Sequence, residues 1–133
     1  MLIISTHAPY HSSFAMDAYE AALGATNVGL EVRFLFQGNG VFQLLSAQTP
    51  AGIQHKNMAK KLKALPLFDI EDIYVCSKSV ALRFEAISGQ NHAQNYTNEF
   101  FEKISISDEL EAQIVNEQEL NILMANASHI LRF

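Results

Sequence analysis

The chain has 133 residues, 49% hydrophobic and 17% charged, and 9 basic against 14 acidic side chains leave a net charge of −5. That balance is globular rather than disordered, and the length suits one domain spanning residues 1–133. A single cysteine, Cys76, excludes an internal disulfide framework and a multi-cysteine structural zinc site, and the acidic sum argues against direct nucleic-acid binding, which needs a basic face.

Leu2-Ile3-Ile4 opens the chain as a buried strand. Residues 12–23 place Phe14, Ala18 and Ala22 at i, i+4, i+8, an apolar helical face, with Ser12 or Ser13 as cap and Gly24 or Gly29 as terminator. Residues 32–36 are β-branched and aromatic, hence a second strand. Gly38-Asn39-Gly40 is a turn, residues 41–45 make one or two helical turns, and Thr49-Pro50-Ala51-Gly52 is a loop. Met58, Leu62 and Leu65 form another helical stripe, ended by Pro66. Residues 73–76 are a third strand and residues 80–87 a helix, followed by a polar, weakly patterned stretch over 88–98. Ile114-Val115 marks a fourth strand, Leu120, Leu123, Met124 and Ala127 a helical stripe, and residues 129–133 a fifth strand.

Strands alternating with helices predict an α/β chain: a three-layer domain with a five-stranded, mainly parallel sheet flanked by helices. The first residues lack a basic leader, and no apolar run approaches the ~20 residues that cross a bilayer, so a cytoplasmic protein without membrane contact is expected. Asn95-Tyr96-Thr97 and Asn126-Ala127-Ser128 match the glycosylation pattern by chance on that reading. Lysines 56, 60, 61 and 63 cluster, and seven acids lie between Glu99 and Glu119 against Lys103 alone. These are solvated faces or complementary patches for partner subunits.

Cys76 is the candidate site residue. It closes the third strand where the chain turns into a helix, and ligands and reactive groups gather at the carboxyl ends of parallel strands. The positive end of a helix and Lys78, two residues on, would both favour a thiolate. The alternative is a buried cysteine that only packs. A phosphatase- or rhodanese-type loop does not fit, because six residues separate Cys76 from Arg83 and none is glycine. Gly38-x-Gly40 lacks the third glycine of a dinucleotide fingerprint, since Gln43 stands there. Ser5-Thr6 could cradle a phosphate, or simply cap a helix. His7 and His11 flank Pro9 without the glutamate of a metalloprotease helix, no G-x-S-x-G elbow occurs, and Asp69, Glu71 and Asp72 read as an exposed loop. No cofactor or metal is expected.

Several phrases together carry a family likeness: Ser5-Thr6 with Pro9, Gly40-Val41-Phe42-Gln43-Leu44-Leu45, Leu67-Phe68-Asp69-Ile70-Glu71, Tyr74-Val75-Cys76 and Ile130-Leu131-Arg132-Phe133. In this order they resemble the DsrE/DsrF-like sulfur-relay family, on its TusC (DsrF) branch, with residues 88–111 as the main departure. The resemblance implies a five-stranded parallel sheet and hetero-oligomeric assembly with TusB-like and TusD-like (DsrH/DsrE-like) subunits. It also implies persulfide transfer to a downstream acceptor protein, serving either 2-thiolation of wobble uridine in tRNA or sulfur oxidation. It assigns the main relay cysteine to the TusD/DsrE-like partner and leaves Cys76 as a secondary persulfide carrier or a structural residue. Other readings are a purely structural subunit and a flavodoxin-like module for a small anion or nucleotide. Phe42, Phe68, Phe84, Phe100 and Phe101 fit either an oligomeric surface or one full core.

Overall fold

Side chains alternate across a strand, so each short apolar strand here serves two cores at once. The computed structural model describes residues 1–44, 58–88 and 110–133, with backbone alone over 84–88. The expected loop at residues 49–52, residues 89–98 of the polar stretch, residues 89–109 of the 88–111 departure with Phe100 and Phe101 among them, and the Phe84 side chain lie outside what is described. The strands are β1 (Leu2–Ser5), β2 (Arg33–Phe36), β3 (Asp72–Cys76), β4 (Gln113–Val115) and β5 (Ile130–Arg132). They form one sheet in the order β4-β3-β2-β1-β5, every pairing parallel.

Strands β1 to β4 step in one direction across the sheet, and β5 returns to the free side of β1. Because parallel crossovers are right-handed, that reversal sends the last helix to the opposite face. On the first face Ile3, Phe34, Phe36, Ile73 and Val75 pack against α1 (Phe14–Asn27), α2 (Met58–Leu62) and Val80 of α3 (Ser77–Ser88). Two 3-10 segments, Gly38–Leu44 and Leu65–Phe68, complete that layer. On the second face Leu2, Ile4, Leu35, Cys76 and Val115 lie beneath Leu120 of α4 (Glu117–Ala125). The expected α/β three-layer fold is what the chain forms.

Local chemistry explains the departures from the expected boundaries. The buried face of α1 is mostly alanine (Ala15, Ala18, Ala22, Ala25), which lets the helix sit close to the sheet, whereas Phe14 is 46% exposed and stacks its ring on His7 at 4.5 Å. The helix runs through Gly24 and stops only at Gly29, whose φ of +82° suits glycine. Pro66 does not simply end the Met58 stripe; it sits in the first turn of the second 3-10 segment, where its missing N–H costs nothing, and Leu65 is still fully buried. α3 starts at Ser77, three residues earlier than its apolar pattern suggested. Asn116 and Glu119 close a reciprocal capping box on α4, with Glu119 N–H donating to Asn116 Oδ1 at 2.9 Å and Asn116 N–H to Glu119 Oε2 at 2.8 Å. The edge strands depart from double burial: on β5 Ile130 and Leu131 remain 43% and 41% exposed, and on β4 Val115 alone is buried.

One close approach ties the layers together. Gly40 lies against the end of β1, where any Cβ would collide with the Ser5 carbonyl, with Ser5 C only 2.8 Å away. Gly40→Ala should therefore destabilise the fold by about 3 kcal/mol, the upper range for overpacking against rigid backbone, measured as a lowered urea midpoint. Gly24→Ala, in a helix interior with nothing within 4 Å, should instead raise stability by about 0.5–1 kcal/mol. Asn116→Ala should cost about 1 kcal/mol through loss of the cap.

Candidate functional site at the carboxyl ends of the strands

Cys76 is the last residue of β3, in register with Val115, and α3 begins at the next residue. Its thiol is free and 6% exposed, packed among Leu2, Ile4, Leu35, Val115 and Leu120 on the second face of the sheet. It lines a recess of about 250 Å³ shared with Gln37, Lys78, Glu117, Leu120, Asn121 and Met124. The Lys78 ammonium lies 3.5 Å from Glu117 Oε1, so its charge faces a carboxylate in the first turn of α4 rather than acting on sulfur alone. Two residues back on the same strand face, the Tyr74 phenol is pushed above its ordinary pKa by burial and by the Asp72 carboxylate, with Arg33 opposing; it stays protonated at neutral pH.

A second, larger cleft of about 420 Å³ lies at the same end of the sheet, lined by Thr6, Gln37, Gly38, Asn39, Ser79, Arg83 and Arg132. Arg83 Nε donates to Asn39 Oδ1 at 2.8 Å, and Arg132 Nη2 donates to Gln37 Oε1 at 3.2 Å. Between those two acceptors, the Gly38 N–H donates to Ser79 Oγ at 2.9 Å. Gln37 borders both the cleft and the thiol recess, yet Cys76 faces only the recess. The strand-end geometry thus gathers two distinct concavities, and only one of them contains Cys76.

The other sequence candidates are spread out. The Ser5 hydroxyl is fully buried and accepts from Gln43 Nε2 at 2.7 Å, and Thr6 Oγ1 donates to the Phe133 carbonyl at 2.7 Å. Helix α1 starts only at Phe14, so these hydroxyls do not cap it. His7 contacts Phe14 and Thr6, while His11 is exposed. Asp69, Glu71 and Asp72 gather with Glu31 near the start of β3, away from Cys76. Among the described residues no group of three His, Cys, Asp or Glu side chains could hold a metal ion, and no helix is long and apolar enough to cross a membrane. Sequence reasoning weighed Arg83 only as a partner of Cys76 and gave Arg132, Gln37, Asn39 and Ser79 no role. The signal that could have found them is positional: Gln37 and Gly38 directly follow β2, Ser79 lies just beyond β3, and Arg132 ends β5.

An open parallel sheet with concavities at its strand ends is the α/β arrangement in which ligands are commonly bound, at the carboxyl ends of the strands. The DsrE/DsrF-like family model matches residues 1–133, and the chain belongs to that family. It is similar to the Protein TusC homolog of Pseudomonas aeruginosa, 39% identical over 83 residues that make 62% of this chain and 70% of that protein. The Protein TusC homolog of Vibrio parahaemolyticus is 41% identical over 76 residues, 57% of this chain and 64% of that protein. Protein TusC of Buchnera aphidicola is 26% identical over 106 residues, 79% of this chain and 89% of that protein. These relatives place the chain on the TusC (DsrF) branch. The crystal structure of the ychN protein from E. coli shares the fold, with a TM-score of 0.68 at 19% identity over 99% of this chain and 97% of that one.

The burial of Cys76 gives a measurable expectation. A thiol-reactive disulfide reagent should label the native chain far more slowly than the urea-unfolded chain, and Met124→Ala, which trims the recess wall, should speed native labelling. Cys76→Ser should cost about 1–3 kcal/mol, because a hydroxyl enters an apolar cluster, whereas Cys76→Ala should cost less.

Proposed function

We propose that the chain is an accessory subunit of a persulfide-relay assembly of the TusBCD/DsrEFH type, working with TusB-like and TusD-like partners in the cytoplasm. The likeness to TusC proteins along the chain carries this reading. The main sulfur-carrying cysteine then belongs to the TusD-like partner. Cys76 is a secondary carrier: its thiolate attacks the outer sulfur of a donor persulfide, the S–S bond breaks, and the donor leaves as thiolate. A lone cysteine cannot close an internal redox pair, so any sulfur it accepts must pass to another protein. The final acceptor is the 2-position of wobble uridine in tRNA or a sulfur-oxidation pathway. The net charge of −5 favours contact through partner proteins rather than with tRNA directly.

The 6% exposure of Cys76 favours a second reading, in which the subunit shapes the assembly and its thiol only packs. Two experiments separate these. Co-expression with TusB-like and TusD-like proteins should yield one stable complex; independent elution of all three at micromolar concentration would count against a relay assembly. Within that complex, incubation with a persulfidated donor followed by intact-mass analysis should add reductant-labile sulfur to this chain and not to its Cys76→Ala form. Loading of the TusD-like partner alone would leave Cys76 a structural residue.

A further inference from the structure

The larger cleft has features that the relay reading does not use. Its two guanidinium groups come from distant parts of the chain, Arg83 on α3 and Arg132 on β5, and one short loop holds both. Gln37 and Asn39 each accept one hydrogen bond from one arginine, and both acceptors are neutral amides. Arg83 Nη2 also comes close to Gly38, 3.5 Å from where a Cβ would stand. Among the described residues no side-chain carboxylate lines the cleft, and the side-chain acceptors that meet the two guanidinium groups are neutral.

The remaining donors fit the same ligand. A guanidinium carries several N–H groups in a rigid fork, and among the described residues each arginine engages one side-chain acceptor. Ser79, itself buried, accepts from the Gly38 N–H and so keeps its hydroxyl proton to donate. Arginine forks match the oxygens of tetrahedral oxyanions and form stronger hydrogen bonds to them than neutral groups do. The volume of about 420 Å³ admits a small molecule carrying such a group as well as a free ion.

From this geometry we infer that Arg83, Arg132 and Ser79 form a binding site for a tetrahedral oxyanion, either a free inorganic ion or the phosphate of a small phosphomonoester. The site goes beyond the relay reading and does not depend on sulfur chemistry at Cys76. Calorimetric titration of the full chain with phosphate, sulfate, thiosulfate and adenosine monophosphate, at ionic strength matched with sodium chloride, tests it. Saturable binding of at least one is expected. Binding of inorganic ions identifies a free oxyanion as the ligand, and binding of the nucleotide alone identifies a phosphomonoester. Arg83→Ala and Arg132→Ala should each weaken binding roughly tenfold or more, and Arg83→Lys, which keeps the charge but loses the fork, should weaken it too. Lys78→Ala removes an equal charge from the neighbouring recess and should leave binding unchanged. Circular dichroism confirms that each variant is folded. No saturable binding beyond the chloride control, or equal binding by folded Arg83→Ala and Arg132→Ala, would overturn the site.

Discussion

The contact between Gly40 and the end of β1 is the constraint on which the functional end of the molecule depends. With no side chain at Gly40, the 3-10 segment after β2 can cross directly over the Ser5 carbonyl. The same crossing brings Gln43 within hydrogen-bond reach of Ser5 Oγ and the His7 carbonyl, at 2.7 and 2.8 Å. It also fixes the Gln37-Gly38-Asn39 loop, whose first residue donates its N–H to the Ser5 carbonyl at 3.1 Å. Both concavities at the strand ends are built from that loop outward. A methyl group at residue 40 would therefore disturb the placement of Gln37, Asn39 and both arginines together.

The parts of the fold that are plain in the sequence are those where local pattern and burial agree. Strands β1, β2 and β3 are apolar runs because both of their faces are covered. The Leu120, Leu123, Met124 stripe reads directly as the face of α4 that covers Leu2, Ile4 and Leu35. Pattern misleads where a residue's local preference is overridden or its partner is remote. Gly24 looks like a stop, but its neighbours hold it within fourteen residues of continuous helix. Ser77-Lys78-Ser79 is polar and so conceals the first turn of α3. Ile130 and Leu131 are apolar like the strand residues of the interior, yet β5 lies at the sheet edge and leaves both partly exposed.

The site follows the same logic. Cys76 was legible because a lone thiol at the end of an apolar strand is conspicuous in one short window. Its orientation was not, because the face on which a strand side chain falls depends on sheet register, and here register places it with Leu35 and Val115 rather than with Val75 and Val80. The arginine cleft left no local trace at all. Its side chains come from the loop after β2, from the first two turns of α3 and from the end of β5, and they converge because parallel strands finish at one edge. The acidic net charge argues only against nucleic acid, and electrostatics at a site are set by the few charges facing it rather than by the sum.

The strand order also shapes the way the chain is assembled. β1 precedes β2 to β5 in sequence and lies inside the sheet, but its second neighbour is β5; the Thr6 hydroxyl meets the Phe133 carbonyl across 127 residues of sequence. In folding, β1 can pair early with β2, its nearer partner in sequence, while its other edge stays open until β5 arrives. An unpaired apolar edge held open that long invites contact with other chains, and pairing so distant in sequence is slow to form. Among the described strands β5 thus acts as a latch on the sheet, covering the β1 edge that would otherwise stand open to other chains.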